Sequence, residues 1–194
     1  WGIPINMFQH YRRRAIALVT EGQEVELEKQ LELEWQKRNE VSLVSAKGVD
    51  YRKLRDLLKA KKWKEADKET RVKILKVANR ELEGWLRWED VENFSCQDLG
   101  TIDKLWVKYS NGKFGFSVQK QISQGMGGSK EGNHYDYEKL ADKVGWRKGD
   151  VWRHHDYSEL TFSEKGYLPL RPPLRPDFKG IHFSLVWRPA NCNI

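Results

Sequence analysis

Aromatic and cationic side chains recur together in the second half of this sequence. Val144-Gly145-Trp146-Arg147 places an indole beside a guanidinium, and Val151-Trp152-Arg153 repeats the pairing. Phe114, Phe116 and Val118 add apolar surface earlier in the chain. An apolar cleft with aromatic walls and cations at its rim can hold a flat, apolar ligand that carries carboxylates. From spacing alone, the same aromatic residues fit an ordinary hydrophobic core, which is the simpler interpretation.

Residues of catalytic type do not combine into a reactive site along the sequence. No nucleophile is paired with a base, and the glycine-rich stretch 125–133 follows no strand and lacks the Gly-Lys-Ser/Thr ending of a phosphate-binding loop. Glu89 and Asp90 are better explained as charges in an early helix turn, or as partners of Arg87, than as an acid–base pair. We therefore predict a protein that is not an enzyme.

Histidine and cysteine do not indicate a metal site. In His154-His155-Asp156 the adjacent imidazoles would point about 100° apart on a helix, and a third ligand at suitable spacing is missing. A solvated turn is favoured, and an axial bond to a ligand's metal from this pair or from His134 stays open. Cys96 and Cys192 are too few for a disulfide framework and are not spaced for zinc. A reducing, cytoplasmic setting is expected.

Length and composition indicate one domain, or one domain with an appendage. The chain has 194 residues, of which 12% are aromatic and nine are Trp, so a few large side chains must supply most of the apolar burial. No stretch approaches the roughly 20 apolar residues that cross a bilayer, and no signal peptide is recognisable. The first residue, Trp1, predicts that the sequence is part of a longer chain.

The net charge of +7 has two interpretations of similar weight. It keeps a protein soluble, or it attracts an anionic partner such as nucleic acid, a membrane surface or a carboxylate ligand. The basic cluster Arg12-Arg13-Arg14 is short, and no recognition helix, zinc finger or RNA-binding sheet pattern accompanies it. We predict no nucleic-acid partner and at most peripheral membrane association.

Apolar residues recur at helical spacing in every strong pattern of the chain. Leu27, Leu31 and Trp35 stand four apart, for example, which indicates an amphipathic helix. No segment alternates apolar and polar residues over two-residue periods. The predicted fold is all-α, with a core domain over residues 49–194. Residues 1–48 form an N-terminal helical segment, which is either an appendage or the tail of a preceding domain.

The chain contains a run of short motifs between Glu89 and Gln119. They are Glu89-Asp90-Val91, Asn93-Phe94, Cys96-Gln97-Asp98-Leu99, Thr101 to Trp106, Tyr109-Ser110-Asn111-Gly112 and Phe114 to Gln119. This run resembles the genomes-uncoupled-four family of tetrapyrrole-binding proteins, whose pattern combines an acidic pair, Asn-Phe, Cys-x-Asp-Leu, Thr-Ile-Asp-x-Leu-Trp, Tyr-Ser-x-Gly and Phe-Gly-Phe-Ser-Val-Gln. A match this long and this specific is hard to obtain by chance.

The resemblance continues after the hexapeptide Phe114–Gln119 and covers about residues 49–169. Its later motifs are Val144 to Arg147, Trp152, Leu160-Thr161-Phe162 and Gly166-Tyr167-Leu168-Pro169. The resemblance implies a compact helical domain shaped like a cupped hand, whose apolar palm holds protoporphyrin IX or its magnesium complex without a covalent bond. It also implies a protein that assists or regulates magnesium chelatase, through the large porphyrin-binding subunit of that enzyme, in chlorophyll biosynthesis.

The candidate ligand-binding residues combine the aromatic–cation pairs with these motifs. They are Phe114, Phe116, Val118, Trp146, Arg147, Trp152, Arg153, Phe162, Leu168, Pro169 and Arg188. The chain departs from the family pattern at Tyr167, where the family has His, and in residues 171–180, which lack the usual aromatic-rich loop. These departures predict a divergent or multidomain member. The alternative function is a sensor or protein-interaction module of the same fold that binds a bilin or has weak or lost pigment binding.

Overall fold

The computed structural model describes residues 21–38, 40–127, 134–149, 151–152, 165–169, 192 and 194. The chain divides into two compact units, Trp1–Ser42 and Leu43–Ile194. The domain boundary predicted from the sequence, after residue 48, stays a prediction.

Helices dominate the described part of the chain, which confirms the all-α prediction. The first unit contains α1 (Glu21–Arg38). The second contains α2 (Arg52–Lys59), α3 (Trp63–Val77), α4 (Trp88–Glu92), α5 (Cys96–Tyr109), α6 (Phe116–Gly125) and α7 (His134–Lys143). A two-residue antiparallel ribbon follows, in which β1 (Arg147–Lys148) pairs with β2 (Val151–Trp152). Among the described residues no helix combines the length and apolar character needed to cross a membrane.

A short turn folds α2 back on α3. Lys61 adopts a left-handed backbone conformation (φ 55°) in this turn, and the two helices pack side by side. Leu54 and Leu58 of α2 are fully buried, as are Ala66 and Thr70 of α3. Their four-residue spacing places each pair on one face of its helix, and both faces contribute to the core.

An aromatic cluster joins α3, α5 and the turn before α6. The indole rings of Trp63 and Trp106 stack with centroids 6.1 Å apart, and Phe114 meets the Trp63 ring edge-on at 5.6 Å. Trp106 is fully buried and donates from Nε1 to Thr70 Oγ1 over 2.9 Å. Because the only polar atom of this indole is paired, its burial leaves no unsatisfied donor.

The segment 43–51 is held on α5 by a buried carboxylate. Asp98 accepts hydrogen bonds from the hydroxyls of Ser45, Tyr51 and Ser95, and from the amide of Ala46. Burial alone would raise the pKa of Asp98, but these donors outweigh it and hold the pKa below its usual value.

Gly115 permits the tight connection between α5 and α6. Its φ is 146°, and a Cβ there would lie 2.7 Å from Val107 Cγ2 and 2.8 Å from Asp103 Oδ1. Asp103 Oδ1 instead accepts from the amide of Ser117 over 2.9 Å, at the start of α6. Burial raises the pKa of Asp103, although the amides at the start of α6 favour its ionised form. Only glycine fits between this carboxylate and α6.

Candidate functional site

The apolar residues predicted to line a ligand cleft fill the interior of the second unit. Phe114, Phe116, Val118, Trp146 and Leu168 are between 0% and 5% exposed, and Pro169 is buried as well. The structure therefore brings together residues from three separate motifs, but as packed neighbours rather than as an exposed surface. Direct contact between these side chains and a ligand stays a prediction.

These motifs lie together because their residues donate hydrogen bonds to one loop, residues 166–169. Gln119 Nε2 donates to the carbonyls of Gly166 and Pro169, both over 3.0 Å. Trp146 Nε1 donates to the carbonyl of Tyr167 over 2.8 Å. The amide of Gly115 completes the set by donating to the carbonyl of Leu168 over 3.1 Å.

Four consecutive carbonyls of this loop are thus paired with donors from α6, from the turn before it and from the segment after α7. Paired buried carbonyls carry no desolvation penalty, so the loop can lie inside the protein. The motif residues Gly115, Gln119 and Trp146 have a clear structural role here.

Of the three arginines predicted to bind a ligand carboxylate, the structure describes Arg147. Two protein carboxylates already balance the charge of its guanidinium. Its guanidinium pairs with both oxygens of Asp142 over 3.0 Å and with Glu138 over 3.1 Å, and its side chain is 15% exposed. The hydrogen bonds that Arg147 donates to Asp142, together with the nearby carboxylate charges, raise the pKa of Arg147. A ligand carboxylate at this position would compete with two protein carboxylates.

The remaining predicted residues are described in part or not at all. Trp152 lies in β2, and its side chain is outside the described part of the structure. Arg153, Phe162 and Arg188 lie outside the described residues.

An exposed aromatic surface occurs elsewhere, in the connection between α3 and α4. We define it by Leu82, Trp85 and Trp88, which are 101%, 44% and 57% exposed. Asn79 and Gly84 both have positive φ, at 55° and 71°, and give this connection its shape. Soluble proteins seldom leave two tryptophans this exposed within four residues unless the surface binds something.

Guanidinium groups flank the exposed aromatic surface. The Arg80 guanidinium lies 5.3 Å from the centroid of the Trp85 ring and also pairs with Glu83. Arg87 pairs with Asp90, yet its side chain remains 53% exposed. The hydrogen bonds from Arg87 lower the pKa of Asp90 to about 2, so this pair stays ionised in neutral solution.

The sequence contained a signal for this surface. Trp85 and Trp88 sit among Gly84, Arg87 and the acidic pair that follows, in a connection between two amphipathic helices. Core tryptophans such as Trp106 instead fall in phase with an apolar helix face. A tryptophan out of phase, in polar surroundings, is a sign of exposure.

The comparisons with known proteins agree on one family. A family model described as GUN4-like matches residues 44–179, well over half of the chain. The Ycf53-like protein of Synechocystis is 36% identical over 137 residues, which make up 69% of this chain and 56% of that protein. A protein of Arabidopsis thaliana named tetrapyrrole-binding protein, chloroplastic, is 35% identical over 126 residues, or 58% of this chain and 45% of that protein. The chain therefore spans about half the length of these curated relatives.

Solved structures agree with the sequence relatives. GUN4 from Chlamydomonas reinhardtii matches with a TM-score of 0.59 at 30% identity, over 78% of this chain and 93% of that one. Ligand-free GUN4 from Arabidopsis thaliana also gives a TM-score of 0.59, at 26% identity, over 74% of this chain and 95% of that one. Sequence and structure together place this chain in the GUN4-like family, the genomes-uncoupled-four family that its motifs resemble.

Proposed function

We propose that this chain binds a tetrapyrrole without a covalent bond, and that the exposed aromatic surface receives the macrocycle. The observation that carries the proposal is the exposure of Trp85 and Trp88 in a chain of the GUN4-like family. A relative of this chain is named a tetrapyrrole-binding protein, which supports the class of ligand.

The chemistry of the surface suits such a ligand. A tetrapyrrole is a flat, conjugated, apolar ring that carries carboxylate side chains. Stacking it on an exposed indole removes apolar area from water on both partners. Arg87 is the most exposed described cation of the α3–α4 connection, and it can share its guanidinium between Asp90 and a ligand carboxylate.

The residues predicted from the sequence give a second placement for the same ligand. In that placement Trp146 and Phe116 contact the ring and Arg147 pairs with a propionate. The burial of both aromatic rings and the two carboxylates on Arg147 favour the exposed aromatic surface instead.

We propose protoporphyrin IX or magnesium protoporphyrin IX as the ligand, with a bilin as the alternative. The corresponding role is non-catalytic assistance or regulation of magnesium chelatase through its large porphyrin-binding subunit, in the cytoplasm. The competing role is a sensor or interaction module of the same fold. Co-elution with that subunit, and faster magnesium insertion by chelatase when this protein is added, are the results expected for the first role.

Titration with protoporphyrin IX, magnesium protoporphyrin IX and biliverdin tests the binding proposal. Wild type is expected to bind at least one of them saturably at micromolar concentration or below, with quenching of tryptophan fluorescence. The double variant Trp85→Ala/Trp88→Ala should bind about ten- to a hundredfold more weakly, because losing a stacked aromatic side chain costs about 1.5–3 kcal/mol.

Two further variants separate the placements. Val44→Ala removes an exposed apolar side chain far from the α3–α4 connection in sequence and should leave the affinity unchanged. Arg147→Ala should weaken binding only if the ligand occupies the second placement. Saturable binding that survives the double Trp variant would overturn the proposed surface, and no binding of any of the three ligands by wild type would overturn tetrapyrrole binding itself.

A further inference from the structure

The two cysteines of the chain are joined across a long stretch of sequence. Cys96 and Cys192 form a disulfide with their Cα atoms 5.1 Å apart at a sequence separation of 96. The spacing of the two cysteines in the sequence did not predict this bond. It ties the first residue of α5 to the C-terminal tail, which we define by Cys192 and Ile194.

The C-terminal tail also touches α5 and α6. A methyl group of Ile194 lies 3.4 Å from the position that a Cβ on Gly100 would take, and Lys120 Nζ lies 3.3 Å from the carbonyl oxygen of Ile194. Among the described residues, the hydrogen bond from Lys120 is a non-covalent restraint on Ile194. The disulfide is therefore the covalent element that keeps the tail in place.

The core of the second unit is formed by packed helix faces. The faces of α2, α3 and α5 meet through Leu54, Ala66, Thr70 and Trp106, which are all fully buried, and Trp106 donates to Thr70 Oγ1. A helical unit of this size buries enough apolar surface to fold without a covalent staple. Breaking the bond should therefore release the tail and leave the helices folded.

The position of Cys96 favours exchange chemistry. It is the first residue of α5, whose cap Ser95 accepts from the amide of Asp98. Cys96 is partly exposed, whereas Cys192 is 8% exposed. An external thiolate can therefore reach the Cys96 sulfur more readily than the sulfur of Cys192.

We propose that Cys96–Cys192 is a reversible thiol–disulfide exchange site whose partner is a dithiol oxidoreductase of the Cys-x-x-Cys class. A carrier thiolate attacks the Cys96 sulfur, the Cys96–Cys192 bond breaks, and Cys192 leaves as a thiolate that takes up a proton. The second carrier thiol then attacks the mixed disulfide and Cys96 is released. The carrier ends as a disulfide, and this chain gains two electrons and two protons as two thiols.

The reverse reaction forms the Cys96–Cys192 disulfide again. The Cys96 thiolate attacks the oxidised carrier, and Cys192 resolves the mixed disulfide. In the oxidised form the tail is held on α5 beside Gly100, and in the dithiol form it is released. This inference is independent of the proposed tetrapyrrole binding.

The test uses the full chain in buffers with a graded ratio of reduced to oxidised thioredoxin-type carrier. Free thiols are counted by alkylation and mass spectrometry, helix content by circular dichroism and tail exposure by hydrogen exchange. We expect a reversible change between zero and two free thiols under native conditions. Amides of the tail should exchange faster in the dithiol form, while helix content stays the same.

Variants give an independent control. Cys192→Ser should show the fast tail exchange in every buffer. Gly100→Val should shift the equilibrium towards the dithiol by crowding Ile194, whereas Gly100→Ala, whose added methyl the structure accommodates, should not. A disulfide that reduces only after denaturation, thiols that persist with oxidised carrier, or loss of helix on reduction would each overturn the proposal.

Discussion

Asp98 connects two parts of the second unit through one carboxylate. It is fully buried and accepts from Ser45, Tyr51, Ser95 and the amide of Ala46. The same arrangement raises the pKa of Tyr51, chiefly through burial and then through the hydrogen bond to the Asp98 charge. A buried charge with this many donors stabilises the fold only while it is ionised.

The first prediction concerns Asp98→Asn and pH. Because the folded-state pKa of Asp98 lies below its unfolded value of about 3.9, the carboxylate stabilises the fold above that pH and loses this effect as the pH falls through the folded-state pKa. At pH 7 the variant should lose about 1.5–3 kcal/mol of unfolding free energy, and the difference from wild type should narrow below about pH 4. Urea unfolding across pH measures this effect.

Asp56→Asn is the matched control, because the Asp56 side chain is 62% exposed and pairs only at the surface with Arg55. Its unfolding free energy should change by less than about 1 kcal/mol. A difference between Asp98→Asn and wild type that stays constant down to pH 2 would show that the Asp98 charge does not stabilise the fold.

At the scale of elements, the 166–169 loop depends on donors that are distant in sequence. Trp146 follows α7 and Gln119 lies within α6, yet both donate to carbonyls of this loop. Gln119 Oε1 has no hydrogen-bond partner among the described residues, so its amide is oriented by the two carbonyls that accept from Nε2. The loop is therefore held from two helical regions at once.

The second prediction removes one of these donors. Trp146→Phe keeps an aromatic ring but leaves the buried carbonyl of Tyr167 without its partner, which should cost about 1–3 kcal/mol of unfolding free energy. Hydrogen exchange at residues 165–169 should rise more than in α2 and α3. Trp88→Phe, at an exposed position, should change neither quantity, and equal stability of Trp146→Phe and wild type would contradict the structural role of the indole N–H.

At the scale of the whole molecule, the contacts of residues 43–49 set the start of the folded domain. Val49 is buried, Ser45 and Ala46 donate to Asp98, and Thr101 donates to the carbonyl of Val44 over 2.8 Å. The sequence around residue 48 resembles a joint because it is short, polar and contains Gly48. Its hydrogen bonds to α5 nevertheless make it part of the second unit.

The third prediction compares two truncated chains. A chain that starts at Leu43 should keep the helix content and cooperative unfolding expected of the second unit. A chain that starts at Val49 loses the donors Ser45 and Ala46, and should be less stable than the first by at least about 1.5–3 kcal/mol. Thermal and urea unfolding of both chains measures the difference, and equal stabilities would favour the boundary predicted from the sequence, after residue 48.

The sequence by itself determined the fold class and the family. Apolar residues spaced three or four apart can be buried together only on a helix, so α2, α3 and α5 followed from local patterns. Ser95 caps α5 through a contact within one turn, since its hydroxyl accepts from the amide of Asp98. The family motifs are contiguous in sequence and need no tertiary information to be read.

Only the tertiary structure decided which of these residues face solvent and which charges are free to act. Trp85, Trp88, Trp106 and Trp146 are the same residue type, but the first two are exposed and the last two are fully buried. Arg147 carries a charge that Glu138 and Asp142 already balance. The meeting of Cys96 with Cys192 likewise required the chain to fold back over 96 residues. The polar surroundings of Trp85 and Trp88 are a local sign of exposure, but the burial of Trp146 and the pairing of Arg147 and of the cysteines depend on the tertiary structure, which local spacing does not identify.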